Sequence, residues 1–259
     1  MHGLCGVALA AGAGSRLWPL TSLRPKPLCP VNNEALIDLA LERLREGLPG
    51  GVDAEGQVAV NLHHGLDQLD AHLPRSVHRS FEPRPLGTAG ALALLRPWID
   101  GRDVLVTNSD AWLGGGPDLG TFVSDWDHER ARLLCVDTGA IADFGSVRYS
   151  GVALLPSAMV GLLDVEPSGL YEAMWADQAA SNRLDLVIFE GEFVDCGTPR
   201  DYLRANLAAS GGRSVVDPTA LVQDGATLVR SVVWDHSEVG ANEVLVDAIR
   251  ARGSTILVR

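Results

Sequence analysis

The sequence predicts a three-layer α/β domain around a mostly parallel sheet, followed by a short C-terminal segment that reads as left-handed β-helix. Three observations lead there. Apolar runs of strand length alternate with helix-period segments, which implies a parallel sheet covered on both faces. A glycine-rich turn follows the first apolar run directly. After Gly211-Gly212 the texture changes to short apolar positions between turn residues. The expected division is 1–210 for the α/β domain and 211–259 for the appended segment.

The elements follow in order. Leu4 to Leu9 is a charge-free run, as expected of a strand buried on both faces. The loop Ala10-Ala11-Gly12-Ala13-Gly14-Ser15-Arg16 comes next, then a proline-rich segment from Pro19 to Pro30. Glu34 to Leu48 carries Leu36, Ile37, Ala40, Leu41 and Leu44 at helical spacing and ends near Pro49-Gly50-Gly51. Val58 to Leu62 reads as a strand, Leu66 to Leu73 as a helix, Ser76 to Phe81 as a strand and Thr88 to Leu95 as a helix. Asp103 to Thr107 is a fourth strand that leads into Asn108-Ser109-Asp110, Leu119 to Arg130 reads as a helix and Leu133 to Val136 as a further strand. In the last segment Val216, Val222, Leu228, Val233, Val239 and Val244 recur every five to six residues. Two or three coils of a β-helix fit there, with an ordinary β-meander as the alternative. So few coils are unstable alone and must pack on the main domain or on a partner subunit.

Composition narrows the function. The chain has 259 residues, 46% of them hydrophobic, and a formal net charge of −12. That balance argues against nucleic acid or an anionic membrane as a general partner, so a polyanionic ligand needs a local cationic pocket. Among 21 basic residues a single lysine, Lys26, stands against arginine everywhere else. Surface positions accept that exchange, but a site needing a compact ammonium does not. Cys5, Cys29, Cys135 and Cys196 are widely spaced and read as reduced thiols. With no leader pattern and no long apolar span, a cytoplasmic location is expected.

The Gly12-Ala13-Gly14 turn lets backbone N–H groups approach a phosphate. A dinucleotide-binding fingerprint fails, because Leu17 stands where a third glycine belongs and the second strand ends at Asn61 rather than at an acidic residue. A Walker loop fails for want of Gly-Lys-Ser/Thr. The adjacent pair His63-His64 has no third ligand at a recognisable spacing and reads as loop or helix start. Trp18 and the other tryptophans read as core or loop packing.

What remains is longer and more specific. Leu9-Ala-Ala-Gly-Ala-Gly-Ser-Arg16-Leu-Trp-Pro-Leu-Thr21 and then Pro25-Lys26-Pro27-Leu28 resemble the signature of the sugar-1-phosphate nucleotidyltransferases. Glu82-Pro-Arg-Pro-Leu-Gly87-Thr88-Ala89-Gly90 is like the base-recognition segment of that family. Asn108-Ser-Asp110 matches its first metal-binding aspartate, and Asp195-Cys-Gly-Thr-Pro199 the segment carrying the second. The closest likeness is to mannose-1-phosphate guanylyltransferase-like and MurNAc-1-phosphate uridylyltransferase-like members.

The resemblance covers about residues 4 to 206 and implies a Rossmann-like, GT-A-like nucleotidyltransferase domain. It implies Arg16 and Lys26 on the reacting phosphates, and Leu9, Ala11, Gly12, Gly14, Ser15, Glu82, Gly87, Thr88 and Ala89 on the nucleotide. It also implies Asp110 and Asp195 on Mg2+. Two carboxylates suit that hard cation, and cations suit two anions that must meet. The implied partners are a nucleoside triphosphate and a sugar-1-phosphate. GTP is slightly favoured by Leu86-Gly-Thr-Ala-Gly-Ala-Leu, with UTP or dTTP also compatible, and the last segment allows a homo-oligomer.

One part departs from the pattern. Family members follow an aromatic-Gly pair with a hairpin carrying Glu-Lys-Pro, whereas Phe144-Gly145 here runs almost at once into Val147-Arg148-Tyr149-Ser150-Gly151-Val152. Gly145 and Arg148 are left as the candidates for the sugar-phosphate side. Two alternatives stay open: a non-catalytic regulatory subunit that binds nucleotide sugar, and a transferase acting on a non-sugar phosphate.

Overall fold

The computed structural model describes residues 3–50 and 56–258; Gly51, at the expected end of the first helix, lies outside them. In chain order the elements begin with β1 (Leu4–Leu9), β2 (Pro30–Val31), β3 (Glu34–Ala35), α1 (Leu36–Gly47), β4 (Val58–Leu62), α2 (Leu66–His72) and β5 (His78–Phe81). They continue with α3 (Gly87–Ile99), β6 (Asp103–Asn108), β7 (Ala111–Gly114), α4 (Leu119–Ser124), β8 (Arg132–Ala142), β9 (Gly145–Leu155) and α5 (Ser157–Val160). Then come α6 (Ala176–Ala180), β10 (Asp185–Ile188), β11 (Glu192–Asp195) and α7 (Pro199–Ala209). Two compact units form: residues 1–12, 39–109 and 115–192, and residues 13–38, 110–114 and 193–259.

The first unit is a three-layer α/β body. Its sheet has the order β10-β8-β9-β6-β1-β4-β5. Pairing is parallel for β1 with β4 and β6, β4 with β5, and β10 with β8, and antiparallel where β9 meets β6 and β8. Strand alternation divides the core between the faces. Cys5 and Val7 of β1, with Val104 and Val106 of β6, pack with Ala89, Leu92, Ala93 and Leu95 of α3. The intervening Gly6 lies against Leu44 and Leu48, and Leu105 against Gly47, so α1 covers the opposite face.

Two expectations change here. The helix expected over Leu119 to Arg130 stops at Ser124. Asp127 accepts from the backbone N–H of Glu129 and Arg130, folding a turn that competes with helix, and Arg132 donates to the Phe122 and Asp125 carbonyls left open at the helix end. The short strand expected at Leu133 to Val136 is part of an 11-residue arm, β8, that forms a hairpin with the equally long β9. Phe144 and Gly145 lie at its turn, Gly145 at φ +70, and β9 then runs to Leu155 with a register shift against β8 between Tyr149 and Val152, where Gly151 sits at φ +90.

The second unit holds the β2-β3 and β7-β11 pairs, α7, and eight short strands: β12 (Val215–Val216), β13 (Leu221–Val222), β14 (Thr227–Val229), β15 (Val232–Val233), β16 (Glu238–Val239), β17 (Val244–Val246), β18 (Ala248–Ala251) and β19 (Ser254–Leu257). β12 pairs with β15, β13 with β16 and β14 with β17, all parallel, as Val215↔Val232, Leu221↔Glu238 and Thr227↔Val244. Val216, Leu228, Val233 and Val239 point into a small core with Leu245 and Ala248. Val222 and Val244 do not; both are exposed, Val244 at 62%. Leu245 takes the inward place because side chains alternate along β17. These short strands pack on α7 through Trp234, which reaches Tyr202.

Candidate active site

The second unit brings together four of the charged residues that the motifs single out. β7 and β11 pair, and Asp110, at the start of β7, accepts at its carbonyl from Cys196 N–H at 3.1 Å, just after β11 ends in Asp195. The two aspartates therefore stand side by side. Lys26 Nζ donates to Asp110 Oδ2 at 3.0 Å and to Asp195 Oδ1 at 3.3 Å. Arg16 approaches Asp195 Oδ2 at 3.6 Å.

Local sequence explains this convergence. Gly14 sits at φ +60, and a Cβ there would stand 2.8 Å from the Lys26 Cβ. Only glycine both adopts that backbone and lets the lysine stem lie against it. Gly197 leaves room for the carboxylate, since an added Cβ would meet Arg16 and both Asp195 oxygens at 3.1–3.2 Å. Thr198 caps α7 by accepting from Asp201 N–H, with Pro199 at the first helical position. That cap fixes where the chain leaves Asp195.

Lys26 is 6% exposed, whereas Arg16 is 72% exposed. Burial alone would pull the Lys26 ammonium down, but Asp110 and Asp195 outweigh it and hold its pKa above the usual lysine value. The group is thus a fixed positive charge. With Arg16 the cluster is formally neutral, and a dication between the carboxylates would turn it into an attractor for polyphosphate. Among the described residues no group of three or more His, Cys, Asp or Glu is placed to hold a metal. Two partly exposed carboxylates nonetheless fit Mg2+, which keeps several waters and takes substrate phosphates as its remaining ligands.

The remaining sequence-derived candidates lie in, or lead out of, the first unit. Leu9 ends β1 and its carbonyl accepts from Ser109 N–H and Oγ. Ala11 O meets His64 Nδ1 at 2.9 Å, and a Cβ on Gly12 would enter open space. Ser15 opens the 3-10 turn that carries Arg16. Glu82 is buried, with Oε1 accepting from Asn61 Nδ2 at 2.6 Å and Oε2 from Leu86 N–H at 2.9 Å. Asn61 Oδ1 accepts in turn from Ala10 N–H at 2.6 Å. A polar chain thus ties the end of β1 to the 82–86 loop. Sequence reasoning does not reach Asn61 as a functional residue, its only trace being a buried amide at a strand end.

Gly87 and Gly90 have protein neighbours: a Cβ would stand 2.4 Å from Ser168 O and from Glu166 O respectively. Ala89 N–H donates to Ser168 O, and Thr88 Oγ1 accepts from Leu170 N–H. Gly145 lies at the hairpin turn, and Arg148 is exposed on β9 opposite Val136. His63 Nδ1 and His64 Nδ1 each meet a backbone carbonyl. Trp126, Trp175 and Trp234 are buried, but Trp18 is 68% exposed, correcting its reading as a packing residue. The turn geometry that buries neighbouring Leu17 and Leu20 turns it outward.

A family model described as nucleotidyl transferase matches residues 5–152. The chain is 30% identical to the N-acetylmuramate alpha-1-phosphate uridylyltransferase of Caulobacter vibrioides, over 77% of its own length and 94% of that protein. It belongs to the nucleotidyl transferase family. Within the family it is also 27% identical to the mannose-1-phosphate guanylyltransferase catalytic subunit beta of Dictyostelium discoideum, over 75% of this chain and 61% of that one. The chain spans about six tenths of the length of this and two plant mannose-1-phosphate guanylyltransferases that it matches. A Thermus thermophilus structure described as mannose-1-phosphate geranyltransferase shares the fold, at TM-score 0.68 and 16% identity over 98% of this chain and 94% of that one. Among the described residues no helix is long and apolar enough to cross a membrane.

Proposed function

We propose that this protein transfers a nucleotidyl group from a nucleoside triphosphate to a sugar-1-phosphate in a Mg2+-dependent reaction. The observation that carries the reading is a single buried ammonium held 3.0 and 3.3 Å from two carboxylates that sit in the family's own motifs. An oxygen of the sugar phosphate attacks the α-phosphorus, the bond to the β-phosphate oxygen breaks, and pyrophosphate leaves. No covalent enzyme intermediate is needed, so positioning and charge supply the rate. Lys26 holds the α-phosphate where the new bond forms, and exposed Arg16 holds the departing pyrophosphate. Asp110 and Asp195 hold the metal, whose chemistry is to neutralise charge developing on the phosphate oxygens. Ala11, Gly12, Gly14 and Ser15 offer backbone N–H groups to the triphosphate, while Leu9, Glu82, Gly87, Thr88 and Ala89 shape the place of the base.

GTP is the favoured triphosphate. The names of the guanylyl- and uridylyltransferase relatives support GTP and UTP alike, and the slight preference for GTP rests on the Leu86-Gly-Thr-Ala-Gly-Ala-Leu segment, with dTTP behind them. Gly145 and Arg148 face the acceptor side in this reading. The tight turn at Phe144-Gly145, with no Glu-Lys-Pro after it, favours an unusual acceptor, either a bulky sugar or a non-sugar phosphate. A panel of triphosphates against phosphorylated acceptors, read by pyrophosphate release, tests this. Tight nucleotide-sugar binding with no turnover on any pair would replace it with the regulatory reading.

The proposal extends to the division at 210/211 and to a left-handed winding of the coils. The 17-residue offset in the registers of all three strand stacks supports stacked coils, and the outward Val229, Val244 and Val246 support a homo-oligomeric contact. Four unpaired buried thiols favour a cytoplasmic location.

A further inference from the structure

The loop that carries Lys26 is poorly equipped to hold itself. Pro25, Pro27 and Pro30 lack an N–H, and Leu28 N–H to Pro25 O and Cys29 N–H to Lys26 O close a single turn. Its near flank is held by Asp235 and Trp234 of the C-terminal coils, and its far flank by Tyr202 and Asn206 of α7, with Trp234 bonded to Tyr202. On the near side Arg24, two residues before Lys26, donates to Asp235 Oδ1 at 2.5 Å, and its guanidinium lies 4.9 Å from the Trp234 ring centroid. On the far side Trp234 Nε1 donates to Tyr202 Oη at 2.9 Å, and Tyr202 Oη donates to Pro30 O. Asn206 adds a second hold, accepting from Asn32 N–H at 3.0 Å. Trp234 and Tyr202 are fully buried, so these bonds work without competing water.

We propose that Trp234 and Asp235 are positioning residues for Lys26, through which the C-terminal coils set where the ammonium stands. Neither residue touches Lys26 or its carboxylates; both act through the loop. The consequence for catalysis rests on the transfer activity proposed above, whereas the positional claim does not.

The composition supplies a direct test. Lys26 is the only lysine, so an amine-selective acylating reagent reports on it alone, with the α-amino group as internal reference. Labelling is followed by peptide mass mapping at one fixed pH, in EDTA and without substrate. Asp235→Asn keeps the shape and removes the charge; Trp234→Phe keeps an apolar ring and removes the N–H. Asp235→Asn is expected to label Lys26 about tenfold faster, the factor matching a weakened hydrogen bond between charged groups, and Trp234→Phe about fivefold faster, the factor matching loss of a neutral one. In turnover, kcat falls on the order of a hundredfold, with a smaller change in KM for the triphosphate. Asp235→Glu restores slow labelling. Leu221→Ser, exposed on the same coils, labels as the unsubstituted protein does.

Labelling within about twofold of the unsubstituted rate in folded Asp235→Asn and Trp234→Phe overturns the inference, as does equal acceleration by Leu221→Ser. If Trp234→Phe fails to fold, Asp235→Asn, at a partly exposed side chain, decides alone. An unsubstituted protein that transfers no nucleotidyl group sinks the proposed function, while the labelling rates still decide the positional claim.

Discussion

Replacing Lys26 by arginine separates charge from shape at the centre of this site. The substitution keeps a cation beside Asp110 and Asp195, so neither carboxylate is left uncompensated. The lysine Nζ serves both from one point, at 3.0 and 3.3 Å, and its stem is pressed against Gly14. A guanidinium is planar and longer, and cannot put one nitrogen at that point without moving about 1 Å. A misplacement of that size costs on the order of a hundredfold in rate, or about 2.7 kcal/mol of barrier. Melting should shift by no more than about 3 °C, since the charge balance is kept and a 1 kcal/mol change moves a chain of this size by about 2–4 °C. The assay is pyrophosphate release with saturating triphosphate, beside a thermal melt. Lys26→Ala should lose a further factor, to about a thousandfold in all, by removing the charge itself. Lys26→Arg with half or more of the normal turnover would refute the reasoning that a compact ammonium is required.

Other perturbations bear on the same structure. Asp110→Asn and Asp195→Asn should each raise the Mg2+ concentration needed for half-maximal turnover by at least about tenfold, and EDTA should abolish turnover; a metal titration reads both. Gly14→Ala should cost about 1–2 kcal/mol in denaturant unfolding, from φ +60 and the 2.8 Å contact with Lys26, and should slow turnover as well. The thiols of Cys5, Cys29, Cys135 and Cys196 are pushed up to about 12, chiefly by burial. The native protein should therefore leave Ellman's reagent unconsumed at pH 8 and release four equivalents only on unfolding. Unfolded thiols ionise near 9.0 and folded ones only near 12, so these residues make the fold less stable as pH rises across that interval. Melting temperatures measured from pH 8 to 11 check it.

The strands β1 and β4 can be read residue by residue from the sequence, because a strand buried on both faces needs an unbroken apolar run and tolerates little else. Lys26, Arg16, Asp110 and Asp195 are legible for a different reason: each stands in a motif that the sequence singles out, and the structure brings the four together. The helix after Leu119 is shorter than its sequence suggests because Asp127 folds a local turn that apolar periodicity does not report. Val222 and Val244 face outward, against expectation, because a five-to-six-residue spacing leaves room for a shift of one, and one residue reverses the side of a strand.

Contacts distant in sequence are decided by tertiary structure alone. The Asn61–Glu82 bond, the use of Gly87 and Gly90 against the 166–168 backbone, and the hold of Trp234 and Asp235 on the loop around Lys26 join residues that no local pattern links. Composition and motif single out the ammonium. The packing of chain segments up to 211 residues apart determines where it stands.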